Sequence, residues 1–246
     1  MITSPLITIV TSSFNDCALL KETINNISEQ TYSRLEYIVI DGGSQDGTIE
    51  LLQASSKVNY WISEPDKGIY DAWNKAVVKA NGDYIAFLGA GDRYLDDGLE
   101  ALVNLAVRDP DAEFIYGKVS VENADQSPRL IGKTWTWSLF RRYMCTTHVG
   151  ALHSRKLFDR YGLFNTNYKI AGDYELLLRP RQNLRVAFLD QPTGIMLAGG
   201  ISQRNHDVLY EVKKAKLQHN TVSQFTACYD FMIAFIKLYI RQKFLN

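Results

Sequence analysis

Four short stretches of this chain place acidic and small polar residues where a ligand could be held. They are Ser12-Ser13-Phe14-Asn15-Asp16, then Asp41-Gly42-Gly43-Ser44-Gln45-Asp46-Gly47-Thr48, then the segment from Ser63 to Lys75, and finally Gly89-Ala90-Gly91-Asp92. A carboxylate at Asp41 can accept hydrogen bonds from a base or a ribose, and Phe14 offers a ring for stacking. Gly42, Gly47 and Thr48 resemble a phosphate loop without its lysine, so the triphosphate clamp is missing. No glycine follows the first apolar run, so the dinucleotide fingerprint fails as well. Asp92 is a lone acid in its loop, and a lone carboxylate can hold a divalent ion that keeps waters and bridges phosphates, as Mg²⁺ does. Further on, Asp173 follows Gly172 and opens the apolar helical pattern Tyr174 to Leu178. A helix N-terminus favours the ionised carboxylate that a general base needs. Plainer roles stay open for each: Asp41 and Asp46 as caps of a turn and helix, Gly89 to Asp92 as an ordinary turn, Asp173 as a helix N-cap.

The elements that must position these groups are legible around them. Residues 6–11, 35–40, 59–63 and 84–88 are short and rich in β-branched or aromatic residues, as buried parallel strands are. Leu20, Ile24 and Ile27 share one helical face, with Asp16 as expected N-cap, and Ala72, Ala76, Val77 and Ala80 share another. Strand and helix alternate, which predicts a mostly parallel α/β sheet with right-handed crossovers. The four polar stretches then lie beyond the carboxyl ends of strands, where open α/β sheets bind ligands. A helix is expected from Gly98 to Arg108, and short strands and turns from Tyr116 to Trp137. A soft boundary falls at 117–133, which divides the chain into 1–117, 118–220 and a helical tail 221–246.

Composition excludes several classes. With 246 residues and 46% hydrophobic content the chain can bury a sizeable core. Lys plus Arg number 27 and Asp plus Glu 27, so no global field recruits nucleic acid. Cys17, Cys145 and Cys228 are widely spaced and odd in number, which indicates neither a disulfide framework nor a zinc site and suits reduced cytoplasmic thiols. The stretch Leu6 to Val10 has no basic region before it and reads as a strand, not a signal peptide. No apolar run is long enough to span a bilayer.

Taken in order, Ile9 to Asp16, Tyr37 to Thr48, Ser63 to Lys75 and Phe87 to Asp92 resemble the inverting glycosyltransferases of family 2, which have the GT-A fold. Thr147-His148, Ala171-Gly172-Asp173-Tyr174 and Gly199-Gly200-Ile201-Ser202 continue the likeness, which covers about residues 5 to 205. It points to bacterial members that build exopolysaccharide, such as colanic acid, or O-antigen units. The resemblance implies a GT-A (Rossmann-like) sheet flanked by helices, with a smaller acceptor-binding part and C-terminal helices. It implies transfer of a hexosyl-type sugar from a nucleotide diphosphate donor to a hydroxyl of a lipid-linked saccharide, with inversion. Ser13, Phe14 and Asn15 match the loop that touches the nucleotide base, with Asp41 its acidic partner. Asp66 and the segment from Gly68 to Asn74 match the donor pocket. Asp92 matches the last residue of the D-x-D metal motif, with Gly91 its middle residue beside the nucleotide sugar; Mn²⁺ or Mg²⁺ is the implied cofactor. Asp173 matches the general base, and His148 an acceptor-side position. The chain departs from the pattern at Ala90, where the first acid of D-x-D would stand. It departs again at Trp73, near the family's commoner arginine, and at Val149, where relatives often carry glutamine. Two other readings stay open. A nucleotidyltransferase would need a glycine-rich basic loop after the first strand, which Ser12 to Asp16 lacks. A non-catalytic sugar-nucleotide or glycan-binding module is what Ala90 and Gly91 permit, and Asp92 and Asp173 oppose.

The tail from Phe225 to Leu245 is aromatic and apolar, with Asp230 early and Lys237, Arg241 and Lys243 late. That pattern suits a peripheral contact with the inner face of the cytoplasmic membrane. It equally suits a homodimer or an intramolecular docking helix.

Overall fold

A computed structural model describes residues 4–123, 126–199 and 206–244. Four parallel strands open the chain: β1 (Ile7–Ser13), β2 (Leu35–Asp41), β3 (Tyr60–Ser63) and β4 (Tyr84–Phe87). Helices α1 (Cys17–Ser28), α2 (Thr48–Ala54) and α3 (Ile69–Lys79) connect them. The short β5 (Arg93–Tyr94), α4 (Gly98–Arg108), β6 (Phe114–Asn123) and β7 (Gln126–Ile131) follow. Then come α5 (Trp137–Phe140), β8 (Leu152–Ser154), α6 (Arg155–Tyr161), α7 (Gly172–Leu178) and β9 (Val186–Leu197), and last α8 (Asp207–Gln218) and α9 (Gln224–Phe244). One nine-stranded sheet runs β3-β2-β1-β4-β8-β6-β9-β5, with β7 paired on β6. β8 is antiparallel to both its neighbours, β4 and β6, which breaks the parallel run at the middle of the sheet.

The period of two along β1 and β2 sorts their side chains into two cores. Ile7, Ile9, Tyr37 and Val39 pack with Leu20, Ile24 and Ile27 of α1 and Leu99 and Leu102 of α4. Val10, Ile38 and Ile40 pack with Ala72 and Ala76 of α3 and Leu176 and Leu177 of α7. Burial on both faces is why these strands are apolar at nearly every position. Among the described residues no helix is long and apolar enough to cross a membrane.

Two local expectations are corrected. Asp16 stands at the N-cap of α1 but makes no side-chain cap bond. The first amide of α1, Cys17 N–H, donates instead to Asp46 Oδ2 at 2.8 Å, while Asp46 Oδ1 takes the Thr48 hydroxyl at 2.6 Å. One carboxylate therefore caps two helices, and these bonds hold it below the usual carboxylate range. Of the short strands and turns expected after Tyr116, the six-residue β7 is one, but the stretch opens inside a ten-residue strand, β6. Its length comes from pairing with β9, a partner some seventy positions away that no local pattern reveals, as in the Phe114–Val186 register. Residue 117 lies inside β6, so the sheet runs on across the soft boundary between 117 and 118. Residues 200–202 of the glycine-rich match lie outside the described residues.

Candidate active site

The loops after β1 and β2 are laced together. Asn15 takes a left-handed backbone (φ 54°), a conformation asparagine tolerates better than most residues. Its N–H donates to Ser44 Oγ at 2.7 Å, and its Oδ1 accepts from Gln45 N–H at 2.9 Å. Asp41, fully buried, closes the turn from within. Its Oδ2 accepts from Ser44 N–H at 2.9 Å, Gly43 N–H at 3.1 Å and the Ser63 hydroxyl at 2.6 Å, and Oδ1 accepts from the Ser44 hydroxyl. The strand ends of β2 and β3 are thereby held together. Phe14 lies over Gly42 and is 61% exposed, and Asp66 Oδ2 approaches the same glycine. Ser13 Oγ is buried and has no hydrogen-bond partner among the described residues. Ser13, Phe14, Asn15, Asp41 and Asp66 thus converge.

α3 joins this pocket to the second half of the chain. Gly68 precedes its first turn, and Asp71 Oδ2 accepts from Lys67 N–H at 3.1 Å. Asp66 bonds Lys75 Nζ at 2.5 Å, yet burial still raises its carboxyl above the ordinary range. Tyr70, one turn further, is buried, and its hydroxyl lies 2.8 Å from the Ile170 carbonyl and 3.1 Å from Asp173 Oδ1. A Cβ at position 172 would sit 2.8 Å from the Tyr70 ring, so only glycine lets that ring reach the carboxylate. Lys169 Nζ crosses to the Lys67 carbonyl at 2.6 Å and closes the same junction. Asp173 is pushed up to about 6 by burial, with bonds from Tyr174 N–H and Tyr70 opposing. Desolvation therefore outweighs the helix terminus that was expected to favour the ionised form.

Asp92 occupies the turn between β4 and β5. Its Oδ1 accepts from Leu197 N–H at 3.0 Å and its Oδ2 from Gly89 N–H at 3.2 Å. Burial pushes it up to about 6. Gly91 has φ 88°, a left-handed backbone that favours glycine, and a Cβ there would press on the tip of the Leu197 side chain. Among the described residues no group of three or more metal-ligating side chains forms. What fits a divalent ion is one carboxylate whose oxygens each keep a free lone pair, the remaining ligands coming from phosphate and water.

Residues 8–162 match Glycosyl transferase family 2. The chain belongs to that family. It is 32% identical, over 73% of its length and 70% of the relative's, to an uncharacterized glycosyltransferase of Mycobacterium tuberculosis. It is 27% identical to a PGL/p-HBAD biosynthesis glycosyltransferase of Mycobacterium bovis, over 72% and 70% of the two chains. It is 34% identical to TuaG of Bacillus subtilis, a putative teichuronic acid biosynthesis glycosyltransferase, over 39% and 40%. Staphylococcus aureus TarS 1–349, solved with UDP-GlcNAc, superposes with a TM-score of 0.73 at 16% identity, over 96% of this chain and 74% of that one. The mannosyltransferase PcManGT of Pyrobaculum calidifontis, solved with GDP-Man and Mn²⁺, gives 0.66 at 19% identity, over 88% and 63%. These likenesses carry the fold: the sheet is of the GT-A type.

In this family 2 glycosyltransferase two further expected site residues are engaged in packing and loop contacts. The Asn74 amide donates to the Phe164 carbonyl and accepts from Phe164 N–H, both at 2.9 Å, so it fastens a loop to α3. His148 stacks on Trp73 at 5.0 Å and packs on Phe87 and His153, its Nε2 buried without a partner among the described residues. Burial lowers its pKa to about 3, so it is neutral at physiological pH. Three residues had no role of their own in the sequence. Tyr70 lay within the segment from Gly68 to Asn74, Lys169 carried no signal beyond lying near matched positions, and Glu211 carried none at all. Glu211 reaches over from α8, its Oε1 accepting from Lys169 N–H at 2.7 Å and its Oε2 from Ile170 and Ala171 N–H at 2.8 Å. The amides just before α7 are thereby fixed, and Glu211's charge helps hold Asp173 high. Glu211→Gln offers one acceptor oxygen for three donors. We expect a fall of about tenfold in kcat with donor affinity kept. A purely structural role for Glu211 would leave the acid limb of the pH–rate profile in place; loss of its charge moves that limb to lower pH.

Proposed function

We propose that this enzyme transfers one hexosyl-type sugar from a nucleotide diphosphate donor to a hydroxyl of a lipid-linked saccharide, with inversion, in cell-surface polysaccharide assembly. The observation that carries the reading is the Tyr70–Asp173 contact, which sets an acid of the acceptor half against the helix that walls the donor pocket. Residues 1–117 form the donor half in this reading, 118–220 the acceptor half and 221–246 a helical tail, at the cytoplasmic face of the membrane. TuaG is named for putative teichuronic acid biosynthesis and the M. bovis relative for PGL/p-HBAD biosynthesis, which supports a role in polysaccharide or glycoconjugate assembly, and TarS was solved with UDP-GlcNAc, which supports a nucleotide-sugar donor here.

Ser13, Phe14, Asn15 and Asp66 hold the nucleotide, with the Phe14 ring against the base, and buried Asp41 holds the turn beside them. The acceptor oxygen attacks the anomeric carbon as that carbon's bond to the diphosphate oxygen breaks. The acceptor proton passes to Asp173, and the bonding electron pair leaves with the nucleoside diphosphate. A general base of this kind contributes about 10² to 10⁴-fold. A carboxyl near pH 6 is ionised at neutral pH yet more basic than an exposed aspartate, which suits it to that proton. Asp92, the phosphates and water would hold Mn²⁺ or Mg²⁺, which when bound neutralises charge on the leaving diphosphate.

A thermal-shift panel of UDP, GDP, dTDP and CMP sugars with Mn²⁺ tests the donor. At a hundred times Kd a ligand stabilises the native state by about 2.7 kcal/mol. For a chain of this size that is a rise of roughly 5 to 10 °C in Tm. One nucleotide class should stand out; no shift from any of them removes the donor assignment. Ala90 favours a second reading, a binding module, and donor hydrolysis with and without metal separates the two.

A further inference from the structure

The last helix shows two unlike faces. Its inner face, with Ala227 and Asp230, is buried against α8 and the segment after α5. Asp230 is 1% exposed, and its carboxylate lies 2.5 Å from Arg142 Nη2 and 3.0 Å from Lys216 Nζ and accepts from the Tyr143 hydroxyl at 3.2 Å. It is the helix's single acidic residue, so the outer face carries no negative charge. On that outer face Phe225, Tyr229, Met232, Ile236 and Ile240 are all exposed, Phe225 by 82%. Their spacing of three or four residues gathers them into an arc of about 80°. A docked helix ordinarily shows polar residues to water, and here the outward stripe is apolar. Beside the helix, exposed Leu130, Leu139 and Met144 line a cleft of about 580 Å³ that Lys237 also lines.

We propose that this outer face of α9 is a docking surface for an anionic lipid bilayer. An apolar stripe along a helix whose last turns are cationic in sequence is the pattern of a helix that lies in the headgroup boundary. Lys237 is exposed, and Arg241 and Lys243 follow it in the sequence, so this end of the helix carries three cations and no acid, a charge that lipid phosphates complement. A second copy of the chain, paired face to face, would present the same cations and no acid, so it offers nothing to match them. The helix lies on the bilayer and does not cross it, since no described helix has a spanning segment. The inference is independent of which acceptor the enzyme uses.

Flotation of the full chain with vesicles tests it, with no substrate present. Truncating α9 would leave Lys216 buried without Asp230, so point substitutions at exposed positions are the sounder probe. The wild-type protein should float with vesicles of phosphatidylcholine and phosphatidylglycerol and less with phosphatidylcholine alone. Met232→Glu with Ile236→Glu should lower the bound fraction more than tenfold with an unchanged thermal melt. Lys237→Gln should weaken binding to the anionic vesicles about fivefold, the worth of one charge near such a surface. Failure of the wild-type protein to float, or equal flotation of the double variant, overturns the assignment. A concentration-dependent dimer that the double variant dissolves, seen without flotation, also overturns it and gives the face to a second copy.

Discussion

Asp173→Asn should lower kcat by about 10² to 10⁴-fold while leaving donor affinity nearly unchanged. The amide cannot take the acceptor proton, and the residues proposed to hold the nucleotide, with the turn beside them, lie on the loops after β1, β2 and β3. The same substitution should make the protein more stable at pH 7. The folded carboxyl titrates at about 6 and an unfolded one near 3.8. Between those values the native state binds more protons than the unfolded chain, so the slope of stability with pH is negative. This stabilising contribution is complete below about pH 4 and is lost as pH rises through 6. At neutral pH the ionised group costs about 1 to 3 kcal/mol, which asparagine removes. Loss of turnover together with a raised Tm therefore separates a chemical role from misfolding. The wild-type kcat should decline below about pH 6 at saturating Mn²⁺, and the variant should lack that limb. If donor affinity collapsed while turnover at saturating donor survived, Asp173 would be a binding residue instead.

Asp92→Asn should abolish metal-dependent donor binding and reduce transfer by about two to three orders of magnitude or more. Asp92 is the lone acid of its loop, Ala90 standing two residues before it. An asparagine oxygen can keep the Leu197 N–H bond, but its NH₂ faces Gly89 N–H, so one bond is lost, at a cost of about 1 kcal/mol. Removal of a partly buried charge offsets that loss, and the fold should melt within a few degrees of the parent. Protons compete with the cation for a carboxyl near 6, so activation by Mn²⁺ should weaken below that pH. Mn²⁺ titrations of donor binding at several pH values, in both proteins, read this directly. Full activity in the variant, or of the parent in excess chelator, sinks the metal assignment.

Much of the donor side was legible because its signals are local. A strand such as Ile7 to Ser13 has to be apolar on both faces, and its loop has to carry polar groups, so sequence neighbours report both. Asp41, Asp46 and the glycines of their turn stand within a few residues of the amides they serve, although Asp46 also caps α1 from a different loop. Asp173 was legible as a carboxylate opening a helix. The expectation that the helix terminus sets its titration failed, because desolvation depends on Tyr70 and the helices packed around it, none of them close in sequence. Glu211 was invisible for the same reason: three amides at 169–171 meet an acid about forty positions later only when α8 packs on α7.

Alone, the sequence determined the strand and helix alternation, the loops that hold the convergent donor residues, and the two acids proposed for the chemistry. Period and turn chemistry are properties of adjacent residues and need no fold to be read. Tertiary packing decided what joins the two halves: the β6–β9 pairing, the Tyr70–Asp173 contact and the Glu211 clamp. It also decided which way the last helix faces, since only the burial of Asp230 between Arg142 and Lys216 turns the apolar stripe outward. Burial and long-range hydrogen bonds are set by what surrounds a group in space, and a chain read in order does not contain that.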